Sequence, residues 1–303
     1  MDYFYSAAER RSRGPLWPSF APALIPGKHQ LADMVLARVQ YSDMYGVEVM
    51  SSEATAKAIQ TELIRINDLR DLLFARHREV LATSTPDERL LILLATLLKL
   101  RMQGRACLLL AQEFMVEEIL ATTRTMAEVI VNAAFLQFAD SEELVRFRHF
   151  DTQSLYKHSE KLRPLTSREL TVEQEAELQG FVDEARSLTQ LADKAQSWSR
   201  THPTLISRAD CVEREMGDSF MPALVLTAYS WAHRAVHGTG DAIRPFYGAL
   251  GSGEVPLSAE RLEEIRIALS FVTFCLETYA FFIDRFLHQD RQAEILAISK
   301  QIA

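Results

Sequence analysis

Cysteine is scarce in this chain, and its three residues, Cys107, Cys211 and Cys275, are odd in number and far apart. With no CxxC spacing among them, neither a disulfide framework nor a zinc site is expected, and reducing cytosol is the simplest compartment. Lysine is also scarce: of 33 basic residues only seven are lysine. An arginine-dominated positive charge favours forked contacts to carboxylates or phosphates, although a GC-rich genome produces the same bias.

Long apolar runs are missing too. The greasiest stretch, Leu90 to Leu98, is followed by Lys99, Arg101, Gln103 and Arg105, which cuts it below the roughly 18 to 20 residues that span a bilayer. The opening MDYFYSAAERRSRGP lacks the apolar core of a signal peptide. A cytoplasmic protein without a membrane segment is therefore expected. A formal charge of −8, from 41 acidic residues against 33 basic ones, argues against a surface built throughout for nucleic acid and leaves room only for a local basic patch. No GxGxxG follows a strand, and GxxxxGK[ST] and GxSxG are absent, so the phosphate loops and the nucleophile elbow they mark are not indicated. Runs of alternating β-branched residues and Asn-Gly hairpins are missing as well, which removes the case for sheet.

What is present is helical periodicity and ample apolar content, 48% of residues, enough for a substantial core. Four of the ten prolines (Pro15, Pro18, Pro22, Pro26) fall between residues 14 and 27, so residues 1–29 read as an irregular Pro-rich arm. Residues 30–303 read as one all-α, multi-helix bundle. Its helices are expected at 30–50, 53–83, 87–111, 115–139, 141–162, 171–200, 203–216, 219–237 and 258–298. Ser52, Asp140 or Ser141, Thr171 and Ser258 are placed to cap four of the starts. Segments 87–111 and 115–139 read as an antiparallel hairpin broken near Gln112 to Met115. The Gly- and Pro-rich stretch 238–257 is the long connection of the body, a loop that lies over a site or serves as a spacer. The final helix is apolar all round, with Phe271, Phe274, Phe281 and Phe282 beside Leu269, Leu276 and Ile283, which implies a central position or a subunit contact. A homodimer is expected on that basis.

Three constellations carry candidate chemistry. Along 219–237, Leu226, Ser230, His233 and His237 recur at steps of four, three and four and share one stripe, bordered by Tyr229. His237 falls in the last turn, where the helix dipole favours imidazolium and so phosphate binding or general acid work. Histidines satisfied by carbonyls or solvent are the plainer alternative. The His233/His237 spacing also suits one metal ion, yet no HExxH or ExxH pair accompanies it, and no metal or other cofactor is expected. Arg124 and Glu128 stand one turn apart among apolar residues; they form either a bracing ion pair or an anion holder with its orienting carboxylate. Arg208 and Asp210 in SRAD offer the same two readings.

RTMAE (Arg124 to Glu128), Trp198, Ser207 with Arg208, and Tyr229, Ser230, His237 and Gly238 of YSWAHRAVHG together make the pattern from about 88 to 240 resemble the bacterial family catalogued as domain of unknown function 5677. The resemblance implies a fold and candidate residues, not an activity. That family is similar in style to HEPN helical bundles, which include metal-independent ribonucleases of toxin and phage-defence systems. Those enzymes place an Arg, then four to six intervening residues, then a His at a helix end. Here His237 is preceded at the required positions by Ser230, Trp231 and Ala232, so Arg124 or Arg208 would have to stand in. Arg70 and His77 do have the six-residue gap, but about two such pairs arise by chance in a chain this rich in arginine. Two functions follow. One is a ligand- or partner-binding regulatory module of a defence or stress system, with RNA, a nucleotide or a partner protein as its target. The other is a HEPN-like nuclease using His237, with Arg124 and Arg208 on phosphate and Glu128 orienting.

Overall fold

The computed structural model describes residues 52–83, 86–150, 171–190, 197–217, 220–236 and 258–300, and among them there is helix and no strand. The helices are α1 (Ser52–Thr83), α2 (Glu88–Gln112), α3 (Val116–Phe138), α4 (Val172–Thr189), α5 (Leu205–Met216), α6 (Phe220–Val236), α7 (Ala259–Phe286) and α8 (Gln292–Ser299). Residues 141–150 are also helical. The arm at 1–29, the helix expected at 30–50 and the loop at 238–257 lie outside the described residues.

Local chemistry sets the ends. Asp87 accepts from the Leu90 amide at the start of α2, and Ser258 accepts from Arg261 at the start of α7. Asp140, not Ser141, takes the Glu143 amide at 2.7 Å. Thr171 with Gln174, and Thr204 with Ser207, form reciprocal capping boxes, each satisfying N–H groups a helix start leaves unpaired. The α2–α3 break falls where expected and turns through Phe114 at φ 56°. Arg89 closes the other end of α3 by donating to the carbonyls of Leu136 and Ala139.

Two expected helices are shorter than their periodicity suggested. The segment expected at 171–200 ends at Gln190, which adopts φ 50° and ψ 26°, and 197–204 is non-helical. The segment expected at 258–298 breaks at 287–291, where His288 and Asp290 take positive φ. Buried Asp284 accepts the Arg291 amide at 2.9 Å, so a carboxylate replaces the interrupted helical bonding and α8 can pack on α1.

α7 is the axis of the bundle and packs against α1, α2, α3, α6 and α8. Its Leu269, Val272, Cys275, Leu276 and Tyr279 are fully buried. The Tyr279 hydroxyl donates to the Leu93 carbonyl at 3.0 Å, and Thr273 donates to buried Glu62 at 2.6 Å. This apolar stripe is therefore occupied inside the bundle, while Phe271, Phe274 and Phe281 stay partly exposed. Val116–Phe138 and Ala259–Phe286 are both long and apolar enough to cross a membrane, yet more than half of each apolar window is buried against other helices. Hydrophobic burial on this scale is the dominant stabilising term.

Candidate functional site

The polar site forms where α3, α5 and α6 meet, helices that pack on one another pairwise. On α3, Arg124, Glu128 and Asn132 recur every four residues and so share one face. The Arg124 Nε lies 3.5 Å from Glu128 Oε1. Across the helix gap the Tyr229 hydroxyl of α6 donates to the same Glu128 oxygen, and the Arg124 guanidinium sits 4.4 Å from the Tyr229 ring centroid. One carboxylate, one phenol and one guanidinium are thus locked together by an ion pair, a hydrogen bond and a cation–π contact. Burial, with the bond to Glu128 next, pushes the Tyr229 phenol up to about 12, so it stays a donor through the physiological range.

Arg208 arrives from α5 and is 8% exposed. Its guanidinium lies 5.0 Å from the Trp198 ring centroid, and Nη1 donates to Ser197 Oγ at 3.2 Å and to the His202 carbonyl at 3.5 Å. Its Nε is buried without a hydrogen-bond partner, as is Asn132 Oδ1. Burial lowers the Arg208 pKa, and the fields of Tyr229, Glu128 and Glu143 oppose that shift. No carboxylate among the described residues forms an ion pair with it.

The non-helical segment 197–204 positions that arginine, and Glu143 holds the segment. Glu143 is 1% exposed, and its Oε1 accepts from the Arg200 and Thr201 amides and the Thr201 hydroxyl at 3.0 to 3.1 Å. Arg146 pairs with it at 3.2 Å. Trp198 packs against Phe135 and Phe147 at centroid distances of 5.8 and 5.1 Å, so the platform under Arg208 is fixed from below.

The other expected residues fall elsewhere. Ser230 is exposed and donates to the Leu226 carbonyl of its own helix at 2.6 Å; Leu226 is exposed as well. Asp210 is exposed while Arg208, two residues earlier, is buried. His233 belongs to α6, but its side chain, like the whole of His237, lies outside the described residues. Among the described residues no His/Cys/Asp/Glu group could hold a metal. A shallow apolar cleft between α5, α6 and α7, lined by Met216, Phe220, Phe281 and Arg285, shares no residue with the polar site.

Asn132 and Glu143 were missed in the sequence. The four-residue step from Arg124 through Glu128 was a readable signal for Asn132. Nothing local marked Glu143, whose partners lie 57 and 58 residues away.

No curated protein and no solved structure matches the chain. A family model does match residues 90–254, more than half of the chain and the stretch that supplies Arg124, Glu128, Trp198, Arg208 and Tyr229. With that extent of match, the chain belongs to the family of unknown function DUF5677.

Proposed function

We propose that the chain is a binding and regulatory module whose α3–α5–α6 site takes a small anionic ligand. The observation that carries this reading is Arg208, a charged guanidinium that is 8% exposed, has an unpartnered Nε and forms no ion pair among the described residues. Burying a charge without a counter-charge is costly, and an incoming anion removes that cost. Arg124 supplies a second guanidinium, and Glu128, with its side chain 41% exposed, offers an acceptor for a donor group on the ligand. A cytoplasmic setting, expected from the cysteine usage, and a defence or stress role, implied by the family resemblance, belong to the same proposal.

Thermal melting of the full chain with 5′-nucleoside monophosphates tests it. The wild type gains melting temperature, and Arg208→Met and Arg124→Gln do not. A wild type that shows no gain sinks the reading.

Convergence of Arg124 and Arg208 toward Glu128 also favours a second reading, metal-independent RNA cleavage with His237 as general acid or base. Cleavage that survives a chelator and disappears in His237→Ala supports it. Equal background in both proteins leaves the binding module.

A further inference from the structure

A second cationic group lies between α1 and α2 and uses none of the residues above. Asn67, Arg70, Phe74 and His77 follow one another on α1 at steps of three, four and three, which makes a single stripe. Arg70 is 6% exposed. Its Nε donates to the Arg101 carbonyl of α2 at 3.0 Å, and its Nη1 donates to Asn67 Oδ1 at 2.9 Å. Its stem runs across Gly104, where a Cβ would come within 2.9 Å of Arg70 Cδ. Absence of a side chain at that position is what lets the arginine lie between the helices.

The Arg101 guanidinium sits 4.1 Å from the Phe74 ring centroid, and Phe74 is stacked against His77 at 6.4 Å with 7° between the ring planes. Arg105 follows one turn after Arg101. Buried Arg101 Nε and His77 Nδ1 have no hydrogen-bond partner, and Arg70 Nη2 makes no hydrogen bond among the described residues. No acid among the described residues forms an ion pair with Arg70, Arg101 or Arg105. Burial, then the like charge of Arg101, lowers the Arg70 pKa, with Arg105 adding to the effect and Asp71 opposing it.

Three guanidiniums gathered within about two helical turns, one of them almost wholly buried and none in an ion pair among the described residues, favour an anion beside them. Forked N–H donors match the oxygens of a phosphoryl group. The compactness of the group, in a chain of net charge −8, fits one small ligand better than the extended backbone of a nucleic acid. We propose that the α1–α2 arginine cluster binds the phosphate or pyrophosphate group of a small molecule through Arg70, Arg101 and Arg105, with His77 Nδ1 as a further polar contact.

The test is calorimetric titration of the full chain with inorganic pyrophosphate, and with inorganic phosphate as the smaller arm, alongside melting curves. Pyrophosphate binds saturably. Exposed Arg105→Gln, which keeps the fold, weakens it by about tenfold, and Arg101→Gln weakens it more. Arg208→Met leaves this binding unchanged, which separates the cluster from the α3–α5–α6 site. In anion-free buffer Arg105→Gln melts no lower than wild type because a like charge has gone, and in pyrophosphate the order reverses. A purely structural arginine gives no such reversal.

No heat and no melting shift with about 10 mM pyrophosphate overturns the proposal, as does equal binding by the Arg101→Gln/Arg105→Gln pair. Pyrophosphate binding that disappears in Arg208→Met overturns it too, by moving the ligand to the other site. A short RNA that competes with pyrophosphate and binds with a steep, several-phosphate salt dependence overturns the small-molecule assignment.

Discussion

Arg261 and Arg208 are buried to nearly the same degree, 5% and 8% exposed, and they have opposite surroundings. Arg261 grips both oxygens of Glu117 at 2.7 Å, donates to the Phe114 carbonyl at 3.0 Å and reaches Glu264 at 3.3 Å. It thereby pins the strained turn at Phe114 between α2 and α3. Burial lowers its pKa, but the bond and charge of Glu117 outweigh that and leave it raised. Arg208 has an indole face, a hydroxyl and a carbonyl, and no carboxylate in ion-pair range among the described residues. Equal burial therefore says little about role. A closed counter-charge marks a brace, and an open one marks a group with binding capacity left.

The largest effect tests the closed end of this contrast. Glu117→Ala leaves the buried Arg261 charge with only the exposed Glu264 carboxylate and costs about 3 kcal/mol in chemical denaturation. The pair also fixes an acid limb. Burial pushes the Glu117 carboxyl up, the Arg261 bond and charge hold it below the ordinary 4.5, and a lowered carboxyl contributes stability above that value and loses it as pH falls through the folded pKa. Wild type loses stability progressively below pH 4.5, and Glu117→Gln, already weaker, shows a shallower slope there. Equal slopes would mean the pair is not what acid breaks.

Tyr229→Phe comes next, at about 1 kcal/mol, for the bond to Glu128. A phenol raised from 10 to about 12 contributes stability that is complete below pH 10 and is lost as pH climbs toward 12. Tyrosinate absorbance should therefore lose one step raised above the ordinary tyrosine range in the variant, while buried Tyr279, raised further still, is unaffected. Arg208→Met changes stability by less than about 1 kcal/mol, since no ion pair is broken and the stem's packing is kept; a loss as large as that of Glu117→Ala would make Arg208 a brace after all. Smallest is Arg266→Ala. Arg266 and Glu263 are joined at 2.8 Å on one half-buried helix face, and the expected change is about 0.5 kcal/mol or less.

The helical hairpin, its break and the caps at Asp140, Thr171 and Ser258 were legible because each depends on residues within one or two turns. The extra helix lengths were not. The terminations at Gln190 and Leu287 run against an unbroken apolar period, and at the second of them Asp284 captures the Arg291 amide instead of a backbone carbonyl. In the site, Arg124, Glu128, Arg208 and Tyr229 could be nominated from the sequence, whereas Ser230, nominated with them, is exposed and bonds back to its own helix. A helical stripe fixes which residues share a face but not which face turns inward. Arg70 and His77 were passed over because their spacing alone was no better than chance; it is Arg101, contributed by a second helix, that gives the α1 stripe its meaning.

By itself the sequence determined the fold class, most helix positions and their caps, since propensity, periodicity and capping act over a few residues. The tertiary structure decided which buried arginine meets a carboxylate and which is left open. That difference depends on groups brought together from positions such as 117 and 261, or 128 and 229, where contact is set by packing and not by distance along the chain.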